Sequence, residues 1–237
     1  MFKDQWILLA MGYGALNFTA LMAGAADFRY LLEKGYPRAR SLELVGNRYK
    51  LDRIHRQILH RGVFAVKICS QRKSHLELPE RIRGKALAVD GYNVLITVES
   101  SMRGIPVLLC DDGWVRDVAG VSGGYRLEET GKRAIALILE AIRALGPKRV
   151  KFLFDSPIAR SGELASLIRE KIGHCNMVGD ALAVPVPEKI LLEHRGPVAT
   201  SDSALIDRLP RVVDLAGFVI RRSQECGKLL ELREDQG

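Results

Sequence analysis

No two of the four cysteines, Cys69, Cys110, Cys175 and Cys226, stand close enough to make a CxxC pair. That excludes zinc-ribbon and finger spacing and a thioredoxin-type redox motif. His174-Cys175, the one Cys/His neighbour pair, reads as part of a strand or its flank. Scattered thiols without a disulfide framework suit a reducing compartment, so a cytoplasmic location is expected. A GxxxxGK[ST] phosphate loop is missing as well, and none of the five histidines sits near a recognisable nucleophile elbow, which removes P-loop chemistry and a Ser/His/Asp hydrolase from consideration. Low-complexity tracts and internal repeats are absent. With 237 residues, 47% hydrophobic and 27% charged, the chain has the composition of a folded domain with a sizeable core.

Charge is lacking between Trp6 and Ala26, a run long enough to span a hydrocarbon core of about 30 Å as a helix. Three readings stay open for residues 1–25. A secretory signal would use Ala23-Gly24-Ala25 for cleavage, but Asp4 cancels Lys3. A membrane anchor through residues 6–26 would be held by Arg29, Lys34, Arg38 and Arg40 on its cytoplasmic side. The favoured reading is a buried or dispensable N-terminal helix, because Gly12, Gly14, Asn17, Thr19 and Gly24 make a mediocre span; a start codon set upstream of the authentic one would also explain it.

Positive charge is concentrated. Residues 26–85 carry 15 Lys/Arg against 6 Asp/Glu, a net of +9, whereas residues 86–237 carry 20 against 21, a net of −1. A phosphate polymer suits such a region, since each neutralised phosphate releases condensed counterions; a solvated charged face is the bland alternative. The pattern here is short helices. Asp27 to Glu33 ends at Gly35, Pro37 opens Arg38 to Val45, a turn falls at Gly46-Asn47, and Leu51 to Arg61 follows. In the last helix Leu51, Ile54, Ile58 and Leu59 share a face and Arg53, Arg56, His60 and Arg61 point mostly outward, a helix-turn-helix-like unit able to meet a nucleic acid through Arg53 and Arg56. Arg72 to Lys85, with Pro79, reads as a linker.

Beyond Lys85 strands and helices alternate, which predicts an α/β layered domain over residues 86–237. Pro106 to Cys110 and Trp114 to Val118 flank Asp111-Asp112-Gly113, a hairpin signal that makes Asp111 and Asp112 turn residues. Glu128 to Leu145 is an amphipathic helix stopped by Gly146-Pro147. Strands are expected at Val150 to Asp155, near Cys175 to Val184, at Val198 to Thr200 and around Val212 and Val219, with helices at Gly162 to Ile172, Glu188 to His194 and Ser203 to Leu209.

Three apolar runs end on aspartate: Ala86-Leu87-Ala88-Val89-Asp90, Val150 to Asp155, and Val198-Ala199-Thr200-Ser201-Asp202. In an open parallel sheet the carboxyl strand ends share one edge, where ligands bind. Singly, each aspartate is as well explained as a helix cap or turn former. Jointly they would repel one another and call for a hard, oxygen-seeking cation such as Mg²⁺ or Mn²⁺. Asp207 and Asp214 are weaker candidates, and Glu99, on the helix after the first strand, is either a helping ligand or a solvent-facing residue. Ser161, before a helix starting at Glu163, and Ser122-Gly123-Gly124 with Arg126 are polar loops whose N–H groups could meet a phosphate.

Val89-Asp90-Gly91-Tyr92-Asn93-Val94 resembles the opening motif of the PIN-like ribonucleases, the NYN-type branch above all, and Phe154-Asp155-Ser156 and Thr200-Ser201-Asp202-Ser203 fall where that superfamily places later acids. From about Asp27 onward the chain is similar to a largely archaeal, uncharacterised family that joins a basic helical region to a PIN-like domain. The resemblance implies a three-layer α/β domain with a mostly parallel central sheet behind a small basic all-α region. It implies a metal-dependent endoribonuclease in which Asp90, Asp155 and Asp202 hold one or two Mg²⁺ or Mn²⁺ ions with Asp207 in reserve, Asn93 orients Asp90 or meets substrate, and Ser156 and Ser161 meet substrate. The further acid that such nucleases carry on a middle helix has no single counterpart. The expected partner is RNA, with DNA open, and a homodimer is compatible. The alternative is a non-catalytic nucleic-acid-binding regulator that uses the basic helices.

Overall fold

The computed structural model describes residues 17–118 and 124–232. Its centre is a five-stranded, all-parallel sheet of order β5-β4-β1-β6-β7, built from β1 (Ala86–Asp90), β4 (Arg149–Asp155), β5 (Gly179–Val184), β6 (Val198–Ala199) and β7 (Val212–Val213). Because strand side chains alternate between faces, β1 sends Leu87 and Val89 to one side and Ala88 to the other. The first side is covered by α5 (Gly91–Met102), α6 (Glu129–Leu145), α7 (Ser161–His174) and α10 (Leu215–Arg222). On the second lie α8 (Pro187–Glu193), the short α9 (Ser203–Ile206) and the fully buried Trp114. The result is a three-layer α/β arrangement.

The expected hairpin is present: β2 (Val107–Leu109) pairs antiparallel with β3 (Val115–Asp117), and β8 (Leu230–Glu231) adds in parallel to β2. Among the described residues four α-helices precede the sheet: α1 (Phe18–Glu33), α2 (Arg38–Arg48), α3 (Arg53–Gly62) and α4 (Val66–Ser74). Leu21, Phe28, Ile58 and Leu59 of these helices bury against Leu108, Cys110, Val118 and Leu232 of the small sheet and its flanks. The basic helical region and the α/β domain thus share a core.

Several sequence expectations are corrected. The boundary expected at residue 25 falls inside α1, whose Leu21, Gly24, Ala25 and Phe28 are buried; residues 6–16 of the uncharged run lie outside the described residues, and among those described no helix is long and apolar enough to cross a membrane. Gly46-Asn47 is not a turn. Gly46 sits in α2 because the Arg56 guanidinium crosses it, and a Cβ there would stand 2.1 Å from Nη1; the chain reverses at Lys50, which has φ 50°. The supposed linker begins as helix α4, continues through a bridge from Leu76 to Val212 at the sheet edge, and ends in a 3₁₀ turn at Pro79–Ile82. His174 and Cys175 close α7 and lie in no strand, since Asn176, with φ 53°, and the Met177 N–H to Ile172 carbonyl bond end the helix and delay β5 to Gly179. Val219 belongs to α10, where Leu215, Ala216, Val219 and Ile220 recur at helical spacing on the buried face.

Candidate functional site

Asp90, Asp155 and Asp202 follow or end β1, β4 and β6, three adjacent strands of one parallel sheet. All three line a single cavity of about 390 Å³ at the carboxyl edge, with Asn93, Tyr92, Asp117, Glu188, Arg61 and Arg208. Packing leaves room only for glycine where β1 passes into α5, because a Cβ at Gly91 would stand 2.3 Å from the Phe154 ring.

The floor of this crevice is tied together by short hydrogen bonds. The Thr200 hydroxyl donates to Asp90 Oδ2 at 2.8 Å and accepts from the Asp202 N–H at 3.1 Å. Asn93 Oδ1 accepts from both the Ser201 N–H and the Ser201 hydroxyl, each at 2.8 Å. Asn93 therefore binds α5 to the loop after β6, fixing the distance between two of the three acids. Burial pushes the Asp90 carboxyl up to about 7, with the Asp202 and Asp155 charges adding to the rise and the Thr200 bond opposing it. Asp155 is raised too, first by burial and then by Glu188.

Asp202 is also the N-cap of α9, accepting from the Ala204 and Leu205 N–H groups at 2.8 and 3.0 Å. Its cap role and its place in the crevice coexist. Two acids that sequence reasoning passed over, Asp117 and Glu188, complete the lining. Asp117 ends a hairpin strand and Glu188 follows Pro187 in the first turn of α8, so each carries the same strand-end or helix-start signal as the expected acids.

Other expected site residues are engaged elsewhere. Both oxygens of Asp207 accept from Arg72, at 2.7 and 2.9 Å, so it is no reserve metal ligand. The Ser161 hydroxyl is buried and donates to the Ser156 carbonyl at 3.3 Å, closing the loop after β4; neither serine lines the crevice. Arg56 is spent inside the helical region, donating to the Leu51 carbonyl at 2.8 Å and Asn47 Oδ1 at 2.9 Å. Arg53 is exposed at the mouth of a neighbouring groove. Glu99 is buried and held by Arg103 and by the Tyr125 hydroxyl, which donates to it at 2.7 Å. Asp214 caps α10. Ser122 and Gly123 lie outside the described residues.

Five carboxylates against two guanidiniums make the lining strongly acidic, and oxygen donors of this kind suit Mg²⁺ or Mn²⁺. The spacing does not close into a cage: among the described residues no group of three His, Cys, Asp or Glu side chains is placed to hold a metal ion as it stands.

A second groove, of about 900 Å³, runs from the helical region into this crevice and shares Arg61, Asn93 and Asp202 with it. Arg38, Arg53, Arg56, Arg72 and Arg116 make its walls basic. Beneath it lies a buried ion network. Asp112 accepts from Arg72 and from both terminal nitrogens of Arg116, all at 2.8 Å, and Asp111 pairs with Arg29 at 2.8 Å. The two hairpin aspartates are thus turn residues that also clamp the helices to the α/β domain.

Residues 79–218 match the family described as Domain of unknown function (DUF5616), and residues 20–75 match one described as Protein of unknown function (DUF434). No solved structure matches the chain significantly. An uncharacterized protein of Methanocaldococcus jannaschii, MJ0935, is 36% identical over 196 residues, 82% of this chain and 93% of that protein. On the extent of these matches, the chain belongs to the DUF5616 family.

Proposed function

We propose that the acidic crevice is a PIN-like nuclease site that hydrolyses phosphodiester bonds of RNA with a bound Mg²⁺ or Mn²⁺. The observation that carries this reading is the convergence of Asp90, Asp155 and Asp202 from three adjacent parallel strands into one crevice fed by a basic groove. Such an ion would neutralise phosphate charge and lower the pKa of a water. The chain's own residues do the rest. Asp90, Asp155 and Asp202 are the residues that would hold the cation. Thr200 fixes the Asp90 carboxylate, and Asn93 holds the Ser201-Asp202 loop at its distance from β1. Arg61 and Arg208, the two guanidiniums of the lining, meet phosphate oxygens.

Cleavage of a mixed RNA pool in Mn²⁺ or Mg²⁺, set against Asp90→Asn, tests the proposal. Divalent-dependent cleavage by the native chain and its loss in the variant are expected, and equal rates in both proteins would sink it. The open spacing of the acids favours the second reading, a nucleic-acid-binding regulator without catalysis; DNA and RNA binding with no cleavage under any divalent ion would establish that one.

A further inference from the structure

Three guanidiniums surround the ring of Phe64: Arg72, Arg38 and Arg116 stand 4.4, 4.6 and 5.3 Å from its centroid. Arg72 and Arg116 are neutralised by Asp112 and Asp207, and Arg29 by Asp111. Four cations thus face three carboxylates, and the excess charge is that of Arg38. Among the described residues Arg38 has no carboxylate partner. Its guanidinium lies 5.2 Å from the Phe28 centroid as well as against Phe64, and it donates to the His60 carbonyl. Burial, with repulsion from Arg72 and Arg116, lowers it to about 10 against the opposing pull of Asp112 and Asp111. A half-buried guanidinium with no carboxylate in contact is costly unless an anion completes it.

We propose that Arg38, seated between Phe28 and Phe64 in the basic groove, is a phosphate-binding site that holds a backbone phosphate of the polynucleotide strand whose neighbouring segment enters the acidic crevice. The two aromatic rings fix the guanidinium plane in advance, so little side-chain freedom is lost when two of its N–H groups grip a phosphate. Groove and crevice meet at Arg61, Asn93 and Asp202, so a strand lying on Arg38 leads to the acids. The inference deepens the nuclease reading by assigning its substrate track, and rests on it for the direction of the strand alone.

The test uses the full chain carrying Asp90→Asn, so that binding is read without turnover, with Arg38→Gln, Arg38→Lys and, as a control, the exposed Arg40→Gln added in turn. Binding of a labelled RNA dodecamer is followed by anisotropy across a salt series, and melting temperature is followed in phosphate and in chloride at matched ionic strength. Arg38→Gln is expected to weaken RNA binding about tenfold and to make the log–log salt slope shallower by about 0.7. Arg38→Lys should fall between, because it keeps the charge and loses the fork, and Arg40→Gln should match the parent. Phosphate should raise the parent's melting temperature more than chloride does and should not do so for Arg38→Gln. Unchanged RNA affinity and slope in Arg38→Gln overturn the proposal. If phosphate stabilisation alone is lost, the site takes free phosphate and the strand assignment fails. Cleavage by the native chain is scored separately, so an inactive but Arg38-dependent binder refutes the nuclease reading and leaves this site standing.

Discussion

Asp90 carries the strongest electrostatic load in the crevice. Its folded value of about 7 lies above the ordinary 3.8, so ionising it works against the fold. The protonated form's advantage is complete below pH about 4 and is lost as pH rises to 7. Asp90→Asn should therefore be more stable than the native chain, in chelator, by an amount that grows from pH 4 to 7 and then levels off at no more than about 4 kcal/mol. Urea melts at pH 4, 5.5, 7 and 8 measure this, and a constant difference would show that Asp90 is not the strained group. Asp202 separates two roles. Asn caps helices as well as Asp, so Asp202→Asn should change stability by a few tenths of a kcal/mol, whereas Asp202→Ala, which strips the acceptor from two N–H groups, should cost about 1 kcal/mol. If the acids share a cation, both variants should show a smaller Mn²⁺-induced rise in melting temperature than the native chain, whatever their stability without it.

At the level of elements, the decisive feature is how α3 and α4 are spent. Arg56 of α3 turns inward to Leu51 and Asn47, and Arg61, at the crevice wall, spends one nitrogen on the Asp117 carbonyl at 2.9 Å. The basic face expected to lie free on a nucleic acid is half consumed by internal bonds. Arg53→Glu, at an exposed position, should weaken nucleic-acid binding and leave the melting curve unmoved. Arg56→Glu should destabilise the chain, since it breaks the bonds that hold α2 to α3; thermal melts beside salt-dependent binding curves separate the two effects. In α4 and the hairpin, Asp112 is fully buried between Arg72 and Arg116. Asp112→Asn leaves the buried Arg116 without its carboxylate and Arg72 with Asp207 alone, and should cost about 3–5 kcal/mol, read as a drop in the urea midpoint.

Across the whole molecule, two family matches meet at residues 75 and 79, yet the interface between them is a core: Phe28, Ile58 and Leu59 bury against Leu108, Val118 and Leu232. Regions joined through such a buried interface should unfold as one unit. Calorimetry should show a single transition with equal calorimetric and van't Hoff enthalpies. A fragment starting at residue 79 should expose Leu108, Cys110 and Val118 and melt lower or aggregate; two separated transitions in the full chain would show the regions to be independent.

The sequence by itself determined the layers and the edge. Apolar runs of strand length ending on Asp90, Asp155 and before Asp202, alternating with amphipathic stretches such as Glu129–Leu145, require a parallel sheet with helices on both faces, because local periodicity and burial act over neighbouring residues. That edge brings the three acids together with no further information. Short signals were ambiguous. Val219 reads as a strand until its buried face is seen to recur at helical spacing, and Gly46-Asn47 reads as a turn until Arg56 is laid across it. What only the tertiary structure decided are the partners: Asp207 goes to Arg72, Asn93 to Ser201, Asp112 to two arginines, and Arg38 is left without a carboxylate among the described residues. Those pairings join residues up to 135 positions apart. Charge type is written locally along the chain, but which charges meet depends on the packing of distant elements, and that packing sets both the acidic crevice and the basic groove beside it.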